Sequence, residues 1–181
     1  ESVDCRYSDK NKKKILSSRI DSTEILNLAI LQCKNPPQHW LNSSTATIYR
    51  HSEDKEMSEQ NGEIGNDFSE NVAKDWENTF FKTETPLTIK TAMRTSIVLG
   101  KNGGAFLPLK KLNQLGFGGK QGNGNQFISW IHEKDFARAL EFILKNKIKG
   151  IVNIVAPNPV TNSEFMCTLK KALNVPIAIP T

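Results

Sequence analysis

The chain has 181 residues, of which 38% are apolar and 24% charged, with 11 glycines, three cysteines and a formal net charge of +5. This is the composition of a globular protein with enough length to bury a core, and it excludes collagen-like, disulfide-scaffold and largely disordered classes. No apolar run approaches the roughly 20 residues that a membrane-spanning helix needs.

The positive charge is uneven. Lys10, Lys12, Lys13, Lys14 and Arg19 crowd the first segment, whereas Glu53, Asp54, Glu56, Glu59, Glu63, Asp67 and Glu70 make a later stretch acidic. No aromatic residue interleaves the lysines as a base-stacking surface requires, so the run reads as a solvated helix face and no nucleic-acid partner is expected. Cys5, Cys33 and Cys167 have no C-x-x-C spacing, and His39, His51 and His132 no H-x-x-x-H spacing. No local metal site is therefore expected, and an odd number of cysteines without that spacing suits a reducing, cytoplasmic compartment.

In chain order, Ser8 is placed to cap a helix beginning at Asp9, with Leu16, Ile20, Leu28 and Leu31 recurring at helical spacing and Ile15, Ile25 and Leu26 beside them. Asn35-Pro36-Pro37 ends it, since proline lacks the amide donor. Asn42 through Tyr49 follow as a short strand that opens into a polar loop over residues 50–66. Asp67 and Glu70 have the spacing of a capping box, and the helix that they open is expected to bury Val72, Trp76 and Phe80. Leu87 through Met93 alternate, and Ser96 through Leu99 continue them as a more buried strand.

Gly103-Gly104 precede an apolar segment read as a helix after Pro108, and Gly116, Gly118, Gly119, Gly122 and Gly124 form a glycine-rich turn. Gln126 through Ile131 read as a strand, and Glu133 begins a helix whose face is Phe136, Ala139, Leu140, Ile143 and Leu144. Ile151 through Val155 form a buried strand, and Thr161 or Asn162 caps a last helix burying Phe165, Leu169 and Leu173. Helices and strands alternate, which predicts an α/β, doubly wound, Rossmann-like parallel sheet with its ligand at the carboxyl ends of the strands. The glycine-rich turn is no P-loop: Gly119-Lys120 is followed by Gln121 instead of Ser or Thr.

Three stretches carry a resemblance. Ser43-Ser44-Thr45-Ala46-Thr47-Ile48-Tyr49 resembles the serine-rich motif after the fifth strand of the extended short-chain dehydrogenases/reductases, the family of the sugar-nucleotide epimerases. Arg94-Thr95-Ser96-Ile97-Val98-Leu99-Gly100 resembles their sixth strand, and Gly122 through His132 with Asp135 their late substrate-side strand and helix. Ser129-Trp130-Ile131-His132 and Ala156 through Phe165 are similar to one atypical, epimerase-like subgroup, whose pattern also matches Arg6-Tyr7 through Arg19.

The resemblance implies the C-terminal portion of the nucleotide-binding fold with its substrate-binding lobe over residues 1–156, and the start of a C-terminal extension over 157–181. It implies NADP or NAD as cofactor of the full-length protein, NADP being favoured, a small-molecule substrate, no membrane, and a homodimer as an option. Thr45 stands at the family's catalytic Ser/Thr, Ser43, Ser44, Thr95 and Ile97 on the cofactor side, and Gln126, Trp130 and His132 on the substrate side. Packing is the competing role for Trp130 and His132, and ion pairing the expected one for Arg94. The family's dinucleotide fingerprint would precede Glu1, which is not a Met, so the chain is expected to be a fragment of a longer protein.

One departure is sharp. The family's proton donor is a Tyr with a Lys four residues on, and here the corresponding segment is Phe68-Ser69-Glu70-Asn71-Val72-Ala73. Two readings follow: an NAD(P)-dependent oxidoreductase or epimerase, or a nucleotide-binding protein without catalysis. Asn125 and Gln126, where epimerases often carry an Arg for the substrate diphosphate, count against a nucleotide sugar.

Overall fold

The computed structural model describes residue 3, residues 5–176 and residues 178–180. Glu1, Ser2, Asp4, Ile177 and Thr181 lie outside the described residues, and with them the outer limits of the two expected segments.

The elements run α1 (Asp9–Gln32), β1 (His39–Thr45), a 3₁₀ turn (Ala46–Ile48), α2 (Phe68–Lys82), β2 (Ile89–Thr95), β3 (Ile97–Gly100), β4 (Gly103–Gly104), α3 (Phe106–Gln114), β5 (Phe127–Ile128), β6 (Trp130–His132), α4 (Glu133–Lys145), β7 (Gly150–Ile154), β8 (Val160–Thr161) and α5 (Asn162–Ala172). The fold is the expected Rossmann-like one, a parallel sheet flanked by helices. The chain divides into two compact units. The first comprises the residues up to Arg50 with Met57–Arg94 and Phe142–Asn153; the second comprises His51–Glu56, Thr95–Glu141 and the residues from Ile154 on.

In the first unit the strand order is β1-β2-β7, with α1 and α2 packed on each other. Ser8 caps α1 as expected, accepting from the Asn11 amide at 3.4 Å. The buried side of α1 differs from the expected one. Ile15, Thr23 and Asn27 are buried, whereas Ile25, Leu26, Leu28 and Leu31 are 65, 47, 56 and 49% exposed. Polar contacts set this rotation. Trp76 Nε1 donates to Thr23 Oγ1 at 2.9 Å, Asn27 Nδ2 donates to the Thr79 carbonyl at 3.0 Å, and Asn27 Oδ1 accepts from Lys90 Nζ at 2.6 Å. Residues 15, 23 and 27 are a multiple of four apart, one side of the helix, and only the first is apolar.

Phe80 on α2 is fully buried and meets Trp40 edge-on with ring centroids 4.7 Å apart. Removing such a ring costs about 3–5 kcal/mol. The Asp67–Glu70 capping box does not form: Asp67 makes no side-chain cap, and the Glu70 carboxylate lies where a Cβ on Gly65 would be. Lys90 closes the other end of α2. Its ammonium donates to the Phe80 carbonyl at 2.7 Å and the Thr83 carbonyl at 2.6 Å, and burial pushes its pKa down. Carbonyls at a helix C-terminus have no intrahelical donor, so a cation there satisfies them and opposes the helix dipole.

In the second unit β3 pairs parallel with β6 and antiparallel with β4, while β5 pairs antiparallel with β8. The two long strands expected from alternation are each broken. Ser96 separates β2 from β3 and bonds Ile154 through both its amide and its hydroxyl, at 3.1 and 2.9 Å. Ser129 separates β5 from β6, its carbonyl accepting from the Ile97 amide at 3.2 Å. Helix α3 begins at Phe106, ahead of Pro108, whose missing amide costs nothing in a first turn.

Helix α5 is opened by a complete capping box, with Thr161 Oγ1 accepting from the Glu164 amide at 3.2 Å and the Thr161 amide donating to Glu164 at 2.9 Å. An extended segment at residues 178–180 crosses the glycine-rich turn: the Ile179 amide donates to the Gly116 carbonyl at 2.8 Å, and the Gly119 amide to the Ile179 carbonyl at 3.0 Å. A Cβ on Gly119 would stand 2.5 Å from Ile179 C and Pro180 N, so only glycine lets the two backbones approach.

Candidate functional site

In the first unit, β1, β2 and β7 each place a polar residue near their carboxyl ends, where a doubly wound sheet presents its ligands. Ser44, Arg94 and Asn153 are these residues, joined by Glu77 of α2 and by Tyr49. Glu77 and Arg94 have side chains 7% exposed and form a two-pronged pair, Nη2 to Oε2 at 2.7 Å and Nε to Oε1 at 2.9 Å. Ser44 Oγ donates to Glu77 Oε1 at 2.5 Å. Arg94 Nη1 donates to Tyr49 Oη at 2.9 Å, and Tyr49 Oη donates to Asn153 Oδ1 at 2.8 Å. Asn153 then holds the loop after the 3₁₀ turn, its amide donating to Glu59 at 2.7 Å and its Nδ2 to the Met57 carbonyl at 3.1 Å. Burial opposes the charge on Arg94, but the hydrogen bonds and Coulombic attraction of Glu77 and the bond to Tyr49 prevail, and its pKa is raised. Arg94 is thus the ion-pairing residue expected.

This network sorts the hydroxyls of the serine-rich motif. Ser44 is buried and turned inward to Glu77. Ser43 is exposed, and its hydroxyl has no hydrogen bond among the described residues. Thr45 is half-buried; its Oγ1 accepts from the Thr47 amide at 3.1 Å and donates to Thr47 Oγ1 at 2.9 Å, which caps the 3₁₀ turn. Glu77 was the residue that sequence reasoning missed. The visible signal was a carboxylate one helical turn from Ala73 and three residues from Phe80, on the side that α2 buries.

The other candidates belong to the second unit. Thr95 is half-buried at the end of β2. Ile97 is 41% exposed and pairs with Trp130 across the β3–β6 ladder, while Leu99 pairs with His132. The ladder therefore brings Ile97, Trp130 and His132 together. His132 is exposed, and its Nδ1 accepts from the Lys134 amide at 3.2 Å, so the neutral ring carries its proton on Nε2. Gln126 is held by its Nε2, which donates to the Gln121 carbonyl at 2.9 Å, and by its carbonyl, which accepts from the Asn162 amide at 2.9 Å. Its Oε1 is buried without a partner, as is Trp130 Nε1.

A groove of about 510 Å³ lies in the first unit, lined by Phe81, Thr88, Ile89, Lys90 and Lys149 among others. Ile89 and Gly150 start β2 and β7, so the groove opens at the amino ends of the strands, away from Ser43–Thr45. The three ammonium hydrogens of Lys90 are engaged by Asn27, Phe80 and Thr83. Chemistry favours the carboxyl ends over this groove. Among the described residues no group of three or more His, Cys, Asp or Glu is placed to hold a metal, and no helix is long and apolar enough to cross a membrane.

No protein-family model matches the chain. Among curated proteins it is similar to epimerase family protein SDR39U1 of Mus musculus, 36% identical over 177 residues that cover 97% of this chain and 60% of the relative. Epimerase family protein YfhF of Bacillus subtilis is 32% identical over 185 residues, 99% of this chain and 59% of the relative. The chain thus spans about 60% of the relatives that it matches. Among solved structures, human SDR39U1 isoform 2 with NADPH superposes with a TM-score of 0.89 at 32% identity, covering 97% of this chain and 60% of that one. A UDP-N-acetylglucosamine 4-epimerase from Bacillus cereus, at 18% identity and a TM-score of 0.73, covers 91% and 58% and shares the fold. Over the part of these relatives that it spans, the chain is similar in sequence and in fold to the epimerase family proteins, as the motif resemblance to the atypical extended short-chain dehydrogenases/reductases led one to expect.

Proposed function

We propose that this chain supplies the substrate-facing part of an NADP(H)-linked epimerase or oxidoreductase that acts on a carbonyl or alcohol, with Thr45 at the reaction centre. Residues 1–156 would carry the nucleotide-fold portion and residues 157–181 the start of a C-terminal extension. The observation that carries this reading is Thr45 itself: the relatives' fold extends over the whole match, and a half-buried hydroxyl stands at the carboxyl end of β1.

The residues present suit the reactive end of a nicotinamide dinucleotide. Ser43 offers an unengaged hydroxyl, and Thr95 and Ile97 follow at the end of β2 and the start of β3. Ser44 would act through Glu77, to which its proton is given, by fixing the strand that carries Thr45. When bound, the cofactor supplies or accepts a hydride. The chain's own part is to orient the substrate oxygen: Thr45 Oγ1 turns its proton from Thr47 Oγ1 toward that oxygen while still accepting from the Thr47 amide. Three exposed cysteines outside any disulfide support a reducing, cytoplasmic setting, and the exposed Ile25, Leu28 and Leu31 of α1 support a homodimer.

A second reading has its own observation. The opening turns of α2, where the family's Tyr and Lys would stand, read Phe68-Ser69-Glu70-Asn71-Val72-Ala73, with neither residue. A protein that binds the nucleotide without turnover fits that loss. NADPH binding by calorimetry, followed by NADPH oxidation over a panel of carbonyl compounds, separates the two. Binding with turnover that Thr45→Ala abolishes and Thr45→Ser retains supports catalysis; binding without turnover supports the second reading.

A further inference from the structure

The amino ends of β2 and β7 carry a feature that the reaction at Thr45 does not use. Beside the groove of about 510 Å³ lies a smaller hollow of about 100 Å³, lined by Ile30, Leu31, Cys33, Pro36 and Leu87 among others. Thr85, Pro86 and Thr88 line both, so the two spaces adjoin along one turn and make a trough. The Thr88 amide closes that turn on the Thr85 carbonyl at 2.9 Å, with Pro86 where its fixed φ is favoured. Leu87 is thereby held out, 72% exposed, and Leu31 and Phe81 are exposed beside the trough. Apolar side chains displayed around a concavity mark a binding surface.

Its polar groups are largely engaged. Thr88 Oγ1 donates to the Pro37 carbonyl at 2.7 Å and Thr85 Oγ1 to the Thr88 carbonyl at 3.3 Å. The Ile89 amide donates to the Gln38 carbonyl at 2.9 Å, and the Thr83 carbonyl accepts from Lys90. An occupant is therefore held by apolar contact instead of strand addition. The charges are lopsided. On the lining segments 30–36, 81–90 and 149–150 the cations are Lys34, Lys82, Lys90 and Lys149, against Glu84 as the acid. Lys90 gives its three hydrogens to Asn27, Phe80 and Thr83. Lys149 is exposed, and its ammonium has no hydrogen bond or ion pair among the described residues. It immediately precedes β7, and the strand order β1-β2-β7 sets the run from there to the β1 side at two strand spacings, about 10 Å.

We propose that this trough binds a free fatty acid of medium chain length, its carboxylate on Lys149 and its alkyl chain running past Phe81 and Pro86 toward Leu87 and Leu31. An alkyl chain asks nothing of a floor whose hydroxyls and carbonyls are already bonded, and its affinity grows with the length that the trough covers. One carboxylate matches the one unengaged ammonium of the larger groove, whereas a phosphate head is better held by several charge-assisted donors. The site lies at the end of the sheet opposite Thr45, so its test is independent of the dinucleotide reading.

The test follows alkylation of the cysteines of the full chain by iodoacetamide, resolved by peptide mass spectrometry. Cys33 lines the smaller hollow, while Cys5 and Cys167, also exposed, are internal references. The probes, each below its micellar concentration, are dodecanoate, acetate and dodecyltrimethylammonium. Dodecanoate is expected to slow Cys33 alone, acetate to slow none, and the cationic amphiphile to protect Cys33 less than dodecanoate does. Lys149→Met should raise the dodecanoate concentration needed for protection about fivefold, as loss of an exposed ion pair would. Leu87→Asp should raise it about tenfold, by removing apolar contact and placing a charge beside the chain. Both side chains are exposed, so the urea midpoints of the two variants should match the parent's. Absence of protection by dodecanoate, equal slowing of all three cysteines, or equal protection by dodecyltrimethylammonium overturns the proposal. So does an unchanged dodecanoate response in either variant.

Discussion

Replacing Arg94 by Met tests the polar network at the carboxyl ends of β1, β2 and β7. The substitution removes both prongs to Glu77, at 2.7 and 2.9 Å, and the bond to Tyr49 at 2.9 Å. Glu77, 6% exposed, keeps only the Ser44 hydroxyl. Breaking a buried pair from one side leaves an uncompensated charge and costs about 3–5 kcal/mol. Tyr49 keeps Asn153 as its acceptor, so little is added there. Removing both charges as Glu77→Leu with Arg94→Met avoids the stranded carboxylate. The double variant should lose about 1–2 kcal/mol, mainly the unpartnered Ser44 hydroxyl. Urea unfolding followed by tryptophan fluorescence measures all three proteins. An Arg94→Met loss below about 1 kcal/mol would mean that water reaches Glu77 and that the pair is not a buried one. A double variant as unstable as the single one would mean that Arg94 acts by shape instead of charge.

Other outcomes can be stated with their measurements. His39 Nε2 lies 2.8 Å from Thr91 Oγ1, and burial lowers its pKa despite the Ile148 carbonyl. The unfolded chain therefore binds the proton more tightly, and the His39 contribution is present above the ordinary histidine pKa and lost as pH falls through the lower folded value. Urea midpoints from pH 8 down to pH 5 should decline less in His39→Asn than in the parent chain. Thr161→Ala should cost about 1 kcal/mol through loss of the α5 cap, seen as a lower urea midpoint. Lys90→Met leaves two carbonyls at the end of α2 and Asn27 Oδ1 without their donor, and a loss of about 2–3 kcal/mol is expected by the same assay. Gly119→Ala should speed amide exchange at both Gly119 and Ile179, because its Cβ displaces the segment bonded to the turn.

Particular residues show what the sequence made legible. Wherever apolar spacing agreed with packing, as at Phe80, Ile143 and Leu169, the expected core positions are buried. The α1 stripe failed because Thr23 and Asn27 are polar, and their burial depends on Trp76, Thr79 and Lys90, which lie far along the chain. Alternation ran through Ser96 and Ser129 without a break, since each break is made by a backbone bond to another strand or segment. Capping chemistry was equally visible at Asp67–Glu70 and Thr161–Glu164. Only the second forms, because Gly65 leaves room that draws the Glu70 carboxylate away. In the candidate site, the motif marked Ser43, Ser44 and Thr45 alike; the inward turn of Ser44 became legible only with Glu77 beside it.

The bond between Gly119 and Ile179 also bears on how the chain is made. During vectorial synthesis the glycine-rich turn leaves the ribosome well before residues 178–180 follow it. Until they arrive, the Gly119 amide and the Gly116 carbonyl have only water as partner, and the turn has no strap to settle against. The loops around the glycine-rich turn are therefore a part of this chain that a chaperone meets open, while α1 and α2 have already closed on each other.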